Sequence, residues 1–107
     1  MVISRFDVYL VRLDPAQGLE IGKTRPCLVV SPDDMNVYLG TTVVAPMTTG
    51  GRDYPSRIPA EFRGRRGHIV LDQLRTVDRH RLVRRLGTLD SATCQHVLQA
   101  LQQMFAS

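Results

Sequence analysis

The sequence has no tryptophan and only three phenylalanines and three tyrosines, so aliphatic side chains must fill most of its core. No apolar run approaches the ~20 residues that a membrane-spanning helix requires. Residues 1–7 lack the apolar segment of a signal peptide, so we expect a cytoplasmic protein without a membrane partner. Cys27 and Cys94 are too few to close a zinc site, and neither has a histidine at ligand spacing. We therefore predict no metal site and interpret both cysteines as buried free thiols.

Lysine is nearly absent, with one residue against thirteen arginines, and the net charge is +4. The 107 residues are 43% hydrophobic and 22% charged, which is ordinary for a folded protein, and we expect one domain over 1–107. Ten of the arginines lie between 52 and 85, where only four acidic residues accompany them. This distribution favours a polyanionic partner or an acidic protein tail. Codon bias toward arginine explains the same excess, so charge alone leaves both interpretations open.

Short β-forming segments separated by turn signals occupy residues 7–87. The stretch 15–24 contains a proline and two glycines without an apolar period, which predicts a long loop. Pro59 places its strand at a sheet edge, because proline cannot donate to the hydrogen-bond ladder. Strands are predicted over 7–13, 27–31, 41–46, 56–62 and 68–74, turns over 32–34 and 63–67, and strand or turn over 76–82 and 83–87.

The pattern changes to a helical period near the end of the sequence. Apolar residues recur three and four positions apart from Cys94 to Phe105, which predicts an amphipathic helix over about 91–105. Asp90 or Ser91 is suited to cap its first turn. Many short strands with one helix, and no alternation of strands and helices, predict a mainly β fold. We expect a small antiparallel barrel or sheet closed by this helix.

The predicted loop carries the first candidates for chemistry, namely Glu20, Lys23, Thr24 and Arg25. It is not a phosphate-binding P-loop, because the glycine spacing is wrong and no helix follows. Arg25 precedes Pro26, which favours an extended backbone and presents the guanidinium fork to a phosphate. From spacing alone, a structural ion pair between Arg25 and Glu20 is the favoured alternative.

Thr48 and Thr49 follow the third predicted strand. A threonine hydroxyl at a strand end can donate to an oxyanion, although capping a turn is its commoner use. The three histidines, His68, His80 and His96, have side chains suited to proton transfer near neutral pH. They share no motif, and we interpret all three as structural or solvated.

Seven short motifs occur in one order along nearly the whole chain. They are DVY at 7–9, LDP at 13–15, GLE at 18–20, KTRPCLVVS at 23–31, VAPMTT at 44–49, LDQLRTVD at 71–78 and RL at 81–82. Each motif is weak alone, but the ordered set resembles the MazF/PemK (Kid-like) toxins of bacterial toxin–antitoxin modules. Leu19 and Ile21 depart from the loop of that family, which leaves the base preference open.

The resemblance implies an SH3-like antiparallel β-barrel with a C-terminal α-helix, working as a homodimer. It implies an mRNA interferase, a metal-independent endoribonuclease without a cofactor that cuts single-stranded RNA at a short sequence. A cognate antitoxin would lay an acidic tail over the RNA groove. The family pattern maps catalytic roles onto Arg25, Thr48 and Glu20. It maps RNA contacts onto Lys23, Thr24, Thr49, Asp72, Gln73 and Arg75.

RNA supplies its own nucleophile, the 2′-hydroxyl, so cleavage requires alignment, a proton acceptor and stabilisation of charge on the phosphate. An arginine pKa above 12 favours Arg25 as an electrostatic stabiliser and Glu20 as the group that orients it or takes the proton. The basic turn at 63–67 either contacts phosphates or is a solvated loop. Two other interpretations stay open: a non-catalytic nucleic-acid-binding barrel, and a gyrase-inhibiting toxin of the same fold.

Overall fold

The computed structural model describes residues 2–107 as an antiparallel sheet of seven strands with two α-helices. The strands are β1 (Asp7–Arg12), β2 (Thr24–Val29), β3 (Thr41–Thr49), β4 (Arg57–Phe62), β5 (Arg65–Val70), β6 (Arg75–Asp78) and β7 (Leu82–Thr88), and the helices are α1 (Asp33–Tyr38) and α2 (Ser91–Phe105). Short 3₁₀ turns follow β5 and β6. The predicted mainly β fold with a C-terminal helix is confirmed. Within residues 2–107, neither helix has the length and hydropathy to cross a membrane.

The long strand β3 connects most of the sheet. The strands lie in the order β4-β5-β3-β2-β1-β7, and β6 pairs with β3 beside this path. The nine residues of β3 pair with three other strands: Val44 is opposite a residue of β6, Ala45 is opposite a residue of β2, and Thr48 is opposite a residue of β5. The edge position that Pro59 predicts for its strand is confirmed, because β4 ends the order.

Apolar side chains are buried on both faces of the central strands. Leu28 of β2 belongs to a cluster that α2 covers with Cys94 and Val97. The neighbouring Cys27 points to the opposite face, where a second cluster contains Tyr9 of β1. Both faces of β1, β2 and β3 are therefore shielded from water, which explains why these strands are rich in aliphatic residues.

The helix predicted over about 91–105 is α2, Ser91–Phe105. The Thr93 amide donates to the carboxylate of Asp90 at 2.9 Å, so Asp90 rather than Ser91 is the N-cap. The apolar stripe is only partly buried, because Met104 and Phe105 are 37% and 75% exposed. The last turn of α2 therefore extends past the surface that the helix covers.

The sequence analysis missed α1, because its inner face is polar and lacks an apolar repeat. Asn36 is fully buried, and its Oδ1 accepts hydrogen bonds from the hydroxyls of Ser31 and Thr42, each at 2.6 Å. Its amide nitrogen donates to the Ser31 carbonyl at 3.0 Å. These bonds attach the six-residue helix to β3, where the sequence predicted only a turn at 32–34.

Several predicted boundaries differ from the observed ones. The second strand begins at Thr24 rather than 27, because residues 24–26 already pair with β1. The basic turn is confined to residues 63 and 64, both with positive φ, and β5 then runs only to Val70. The ambiguous segment 76–82 forms most of β6 and the 3₁₀ turn that follows it, and the segment 83–87 lies within β7.

Replacement of Asp90 by alanine should lower the free energy of unfolding by about 1 kcal/mol, because the Thr93 amide loses its acceptor. Urea-induced unfolding followed by circular dichroism measures this change. Ser91→Ala is the matched control at the adjacent position and should shift the unfolding free energy by less than about 0.5 kcal/mol. Equal losses in the two variants would contradict the capping role of Asp90.

Candidate functional site

Arg25 of β2 and Thr48 of β3 line the same groove. The two strands pair as far as Cys27 and Pro46, and Arg25 and Thr48 each lie two residues beyond that pair. Both side chains are half-buried and both line one groove of about 500 Å³. The structure therefore brings together the two residues that the sequence singled out for phosphate binding.

The groove is basic along its length. Thr24 and Thr49 join Arg25 and Thr48 in its wall, and Leu10 and Met47 contribute apolar surface. Within residues 2–107, no aspartate or glutamate lines it, whereas five arginines do: Arg25, Arg63, Arg65, Arg66 and Arg84. A cleft lined by one sign of charge concentrates ions of the opposite sign, so this groove attracts polyanions.

The loop between β1 and β2 is tied down at its base. The Leu13 amide donates to the Lys23 carbonyl at 2.8 Å, and the Lys23 amide donates to the Asp14 carboxylate at 2.8 Å. Arg81 closes the same base by donating to the Asp14 carbonyl at 2.6 Å. The residues that precede β2 therefore start from an ordered position beside the groove.

Arg25 is held by this loop and not by Glu20. Its Nε donates to the Gly22 carbonyl at 3.0 Å. Within residues 2–107, Arg25 and Glu20 form no ion pair, so the alternative that the spacing favoured is absent. The Glu20 carboxylate is exposed and accepts only from the Gln17 amide, at 2.7 Å. The terminal guanidinium nitrogens of Arg25 make no hydrogen bond within the described chain, which leaves them available for a phosphate.

Asp72 and Gln73, two of the predicted RNA contacts, are occupied within the protein. Asp72 accepts from Nε and Nη2 of Arg57, each at 3.1 Å, and these bonds hold the pKa of its carboxyl below the usual value. Gln73 reaches the loop instead, donating to the Leu19 carbonyl at 3.1 Å and accepting from the Ile21 amide at 2.6 Å. The 3₁₀ turn after β5 thus braces two segments that flank the site.

Of the remaining predicted RNA contacts, Thr24 and Thr49 line the groove with Arg25, whereas Lys23 and Arg75 do not. Lys23 and Thr24 are exposed at the start of β2, and Thr49 is exposed at the end of β3. Arg75 is half-buried and donates to the Leu13 carbonyl at 2.9 Å. Because Arg75 is opposite Val44, β6 places this guanidinium beside β3 as well. The strand β3 therefore carries Thr48 and Thr49 and pairs with Arg75 of β6.

The sequence analysis did not identify the role of His68, which pairs with Thr48 across β3 and β5. Its Nδ1 lies 2.7 Å from the Gly50 carbonyl, and its Nε2 lies 2.7 Å from the Asp53 carboxylate. A carbonyl and a carboxylate only accept hydrogen bonds, so this arrangement favours the doubly protonated imidazole, in which both ring nitrogens donate. No local motif links 50, 53 and 68, so this clamp on the β3–β4 loop had no sequence signal.

Gly67 sits against the backbone of Thr48. A Cβ at position 67 would lie 1.7 Å from the Thr48 carbonyl oxygen, so any other residue would displace β3 at this point. The close approach explains a glycine inside a strand. It also makes the position of Thr48 depend on Gly67.

The thiol of Cys27 is fully buried and is not suited to act as a nucleophile. Burial raises the pKa of its thiol to about 12, although Arg75 and Arg25 act in the opposite direction. Cys27 and Cys94 are both buried and free, as predicted. Within residues 2–107, no three His, Cys, Asp or Glu side chains are grouped to hold a metal ion.

Arg25 and Thr48 line an arginine-rich groove on a small antiparallel sheet. These features define an anion-binding β protein, and its charge is that of a nucleic-acid-binding module. The sequence assigns it more narrowly. The chain belongs to the PemK-like, MazF-like toxins of type II toxin–antitoxin systems, whose family model matches residues 4–105. The family resemblance seen in the motifs is confirmed.

Known relatives support this assignment. The chain is 33% identical over 108 residues to a protein of Staphylococcus saprophyticus subsp. saprophyticus described as endoribonuclease MazF, covering 94% of this chain and 88% of that protein. The structure of MazF from Deinococcus radiodurans superposes with a TM-score of 0.87 at 25% identity, covering 100% of this chain and 99% of that one. A mycobacterial endoribonuclease, described in complex with its cognate antitoxin, has the same fold, with a TM-score of 0.80 at 24% identity over 94% of this chain and 92% of that one.

Nuclear magnetic resonance should find His68 doubly protonated at pH 6.5, because hydrogen bonds to Asp53 and Gly50 raise its pKa above the ordinary 6.5. Burial and Arg57 oppose the rise. The pKa of His68 is higher in the folded protein than in the unfolded chain. The contribution of His68 to folding stability is therefore complete below about pH 6.5 and is lost as the pH rises through the pKa of the folded protein.

The control for this titration is Asp53→Asn, which removes the carboxylate but keeps the side-chain shape. In that variant the pKa of His68 should fall toward its ordinary value. A neutral His68 with one ring N–H at pH 6 in the unchanged protein would contradict the clamp.

Proposed function

We propose that this toxin is a metal-independent endoribonuclease that cuts single-stranded RNA, chiefly mRNA, at a short sequence. The observation that carries the proposal is that Arg25 and Thr48 line one groove together with four further arginines. The staphylococcal relative described as an endoribonuclease supports the same activity. We also propose that residues 1–107 form one toxin domain that acts in the cytoplasm as a homodimer.

In this proposal, Arg25 and Thr48 stabilise the charge that develops on the phosphate. The Gly22 carbonyl holds Nε of Arg25, so the guanidinium has a fixed orientation and its terminal nitrogens can donate two bonds to the phosphate oxygens. The Thr48 hydroxyl supplies a third donor. Because the guanidinium remains charged at all accessible pH values, Arg25 acts by electrostatics rather than by releasing its proton.

Glu20 is the proposed proton acceptor. The 2′-hydroxyl of the RNA attacks the adjacent phosphorus and passes its proton to the Glu20 carboxylate. The bond to the 5′ oxygen breaks, and that oxygen takes a proton from solvent. The products are a 2′,3′-cyclic phosphate and a 5′-hydroxyl. This sequence of events uses only alignment, charge stabilisation and proton transfer.

RNA binding is assigned to the side chains around Arg25. Lys23, Thr24, Thr49 and Arg75 are placed to contact phosphates, sugars or unstacked bases, which is how proteins read single strands. Asp72 and Gln73 become available to RNA only if they release their present partners, Arg57 and the loop. The groove arginines at 63, 65 and 66 would add affinity that falls with salt and does not depend on sequence.

The proposed protein partner is a cognate antitoxin with an acidic segment. A groove with five arginines and no acidic lining residue among those described complements such a segment by charge. The mycobacterial structure described with its cognate antitoxin shows that a protein of this fold accepts one. An acidic segment in the groove would cover Arg25 and Thr48, and thereby inhibit RNA cleavage.

End-mapping of a mixed-sequence RNA incubated with the protein in EDTA should reveal cuts at one recurring short sequence. Arg25→Ala and Thr48→Val should each slow cleavage by about 10²–10³-fold, because the first removes two donors to the phosphate and the second removes the third. Arg85→Ala is the matched control, since Arg85 pairs with Asp7 at 3.3 Å and does not line the groove. Its cleavage rate should stay close to that of the unchanged protein.

The outcomes separate the alternatives. RNA that is bound but stays intact would make the protein a non-catalytic nucleic-acid-binding module. Inhibition of gyrase that survives Arg25→Ala would make it a gyrase-directed toxin. Cleavage that requires added divalent metal would contradict the metal-independent mechanism.

A further inference from the structure

The side-chain amide of Gln73 spans the two peptide groups that flank Glu20. Its Nε2 donates to the Leu19 carbonyl at 3.1 Å, and its Oε1 accepts from the Ile21 amide at 2.6 Å. The partners are more than fifty residues apart in sequence, so these bonds join the 3₁₀ turn after β5 to the β1–β2 loop. Both hydrogen-bonding ends of Gln73 are thereby occupied.

Glu20 has few other constraints. Its carboxylate accepts only from Gln17, which belongs to the same loop. Leu19 is 97% exposed and cannot anchor the loop by packing, whereas Ile21 packs partly against the second apolar cluster. The position of Glu20 relative to the rest of the protein therefore depends on Ile21 and on the Gln73 amide.

The anchored segment also reaches Arg25. Gly22, two residues beyond Glu20, accepts from Nε of Arg25 at 3.0 Å. Two residues of extended chain span at most about 7 Å, so the Glu20 backbone cannot lie far from the peptide that orients Arg25. The two Gln73 bonds, which hold residues 19 and 21, therefore limit how far the Glu20 backbone can move from the peptide that orients Arg25.

The 3₁₀ turn that carries Gln73 is held in place by contacts of the two preceding residues. The preceding residue, Asp72, accepts two bonds from Arg57 and one from Ser56 at 2.9 Å, on the other side of the turn. Leu71 is fully buried in the first apolar cluster. The 3₁₀ turn is therefore held at two consecutive residues before Gln73 extends toward the loop.

We propose that Gln73 is a positioning residue, which holds Glu20 on the loop that orients Arg25 and so acts on catalysis through Glu20. This inference rests on the proposed endoribonuclease function. It assigns to Gln73 a different role from the direct RNA contact that the family resemblance implies. The role needs one donor and one acceptor on the same side chain, which glutamine has and glutamate at neutral pH lacks.

The variants follow from this requirement. Gln73→Met keeps the length of the side chain and loses both bonds, whereas Gln73→Glu keeps only the acceptor for the Ile21 amide. Steady-state cleavage of a short RNA that contains the mapped site gives kcat and KM. We expect Gln73→Met to lower kcat about tenfold with KM within about twofold, and Gln73→Glu to fall between it and the unchanged protein.

A double-mutant cycle with Glu20→Gln provides the decisive comparison. If Gln73 acts through Glu20, adding Gln73→Met to Glu20→Gln should cost less than about twofold in kcat, because there is no acceptor left to position. Fully additive losses would overturn the inference. A raised KM with unchanged kcat in Gln73→Met would also overturn it, in favour of a direct contact with RNA.

Amide hydrogen exchange separates this inference from the proposed function. The Ile21 amide should exchange faster in Gln73→Met than in the unchanged protein, and Gln73→Glu should restore part of its protection. Unchanged protection in Gln73→Met would overturn the inference whatever the cleavage data. Absence of RNA cleavage by the unchanged protein overturns the proposed function and the catalytic role of Gln73 together, while faster exchange would still identify the hydrogen bond.

Discussion

The alignment of β2 on β3 is the constraint on which the site depends. β2 and β3 pair as far as Cys27 and Pro46, just before Arg25 and Thr48, and β3 also pairs with Arg75 and His68. Because side chains alternate between the two faces of a strand, a slip of one residue would exchange the side chains of the two faces. Each face of the central strands contributes to its own packed apolar cluster, so such a slip would put side chains of the wrong shape into both clusters. Core packing thereby protects the geometry of the site.

Charge is distributed so that the groove stays basic while acidic residues are neutralised elsewhere. Asp72 is paired with Arg57, Asp7 with Arg85, and Asp53 with His68. The arginines that line the groove repel one another, and a bound anion relieves this repulsion. None of these three carboxylates lines the groove, and the Asp7 carboxylate is buried where it meets Arg85. An anionic ligand and a folded groove therefore stabilise each other.

The sequence predicts what depends on local pattern. The stripe from Cys94, the cap at Asp90 or Ser91 and the edge-strand position of Pro59 are short-range signals, and the structure agrees with each of them, with Asp90 as the cap. Contacts between distant residues have no such signal, which is why the Asn36 network and the His68 clamp were missed. The family motifs predicted roles for Arg25 and Thr48, which line one groove. They could not show that Arg25 is held by a loop carbonyl and not by Glu20, because that depends on the folded path of the loop.

The contact between Gly67 and the Thr48 carbonyl has a genetic consequence. Selection for survivors that carry this toxin gene without an antitoxin would recover changes that inactivate the protein. A substitution at codon 67 would inactivate the protein without changing any residue proposed to contact RNA, because every side chain larger than hydrogen displaces β3 beside Thr48. Such alleles would produce a protein in which Thr48 is displaced from its place in the groove. In a lineage that has lost its antitoxin gene, position 67 is therefore a site where decay of the toxin can begin.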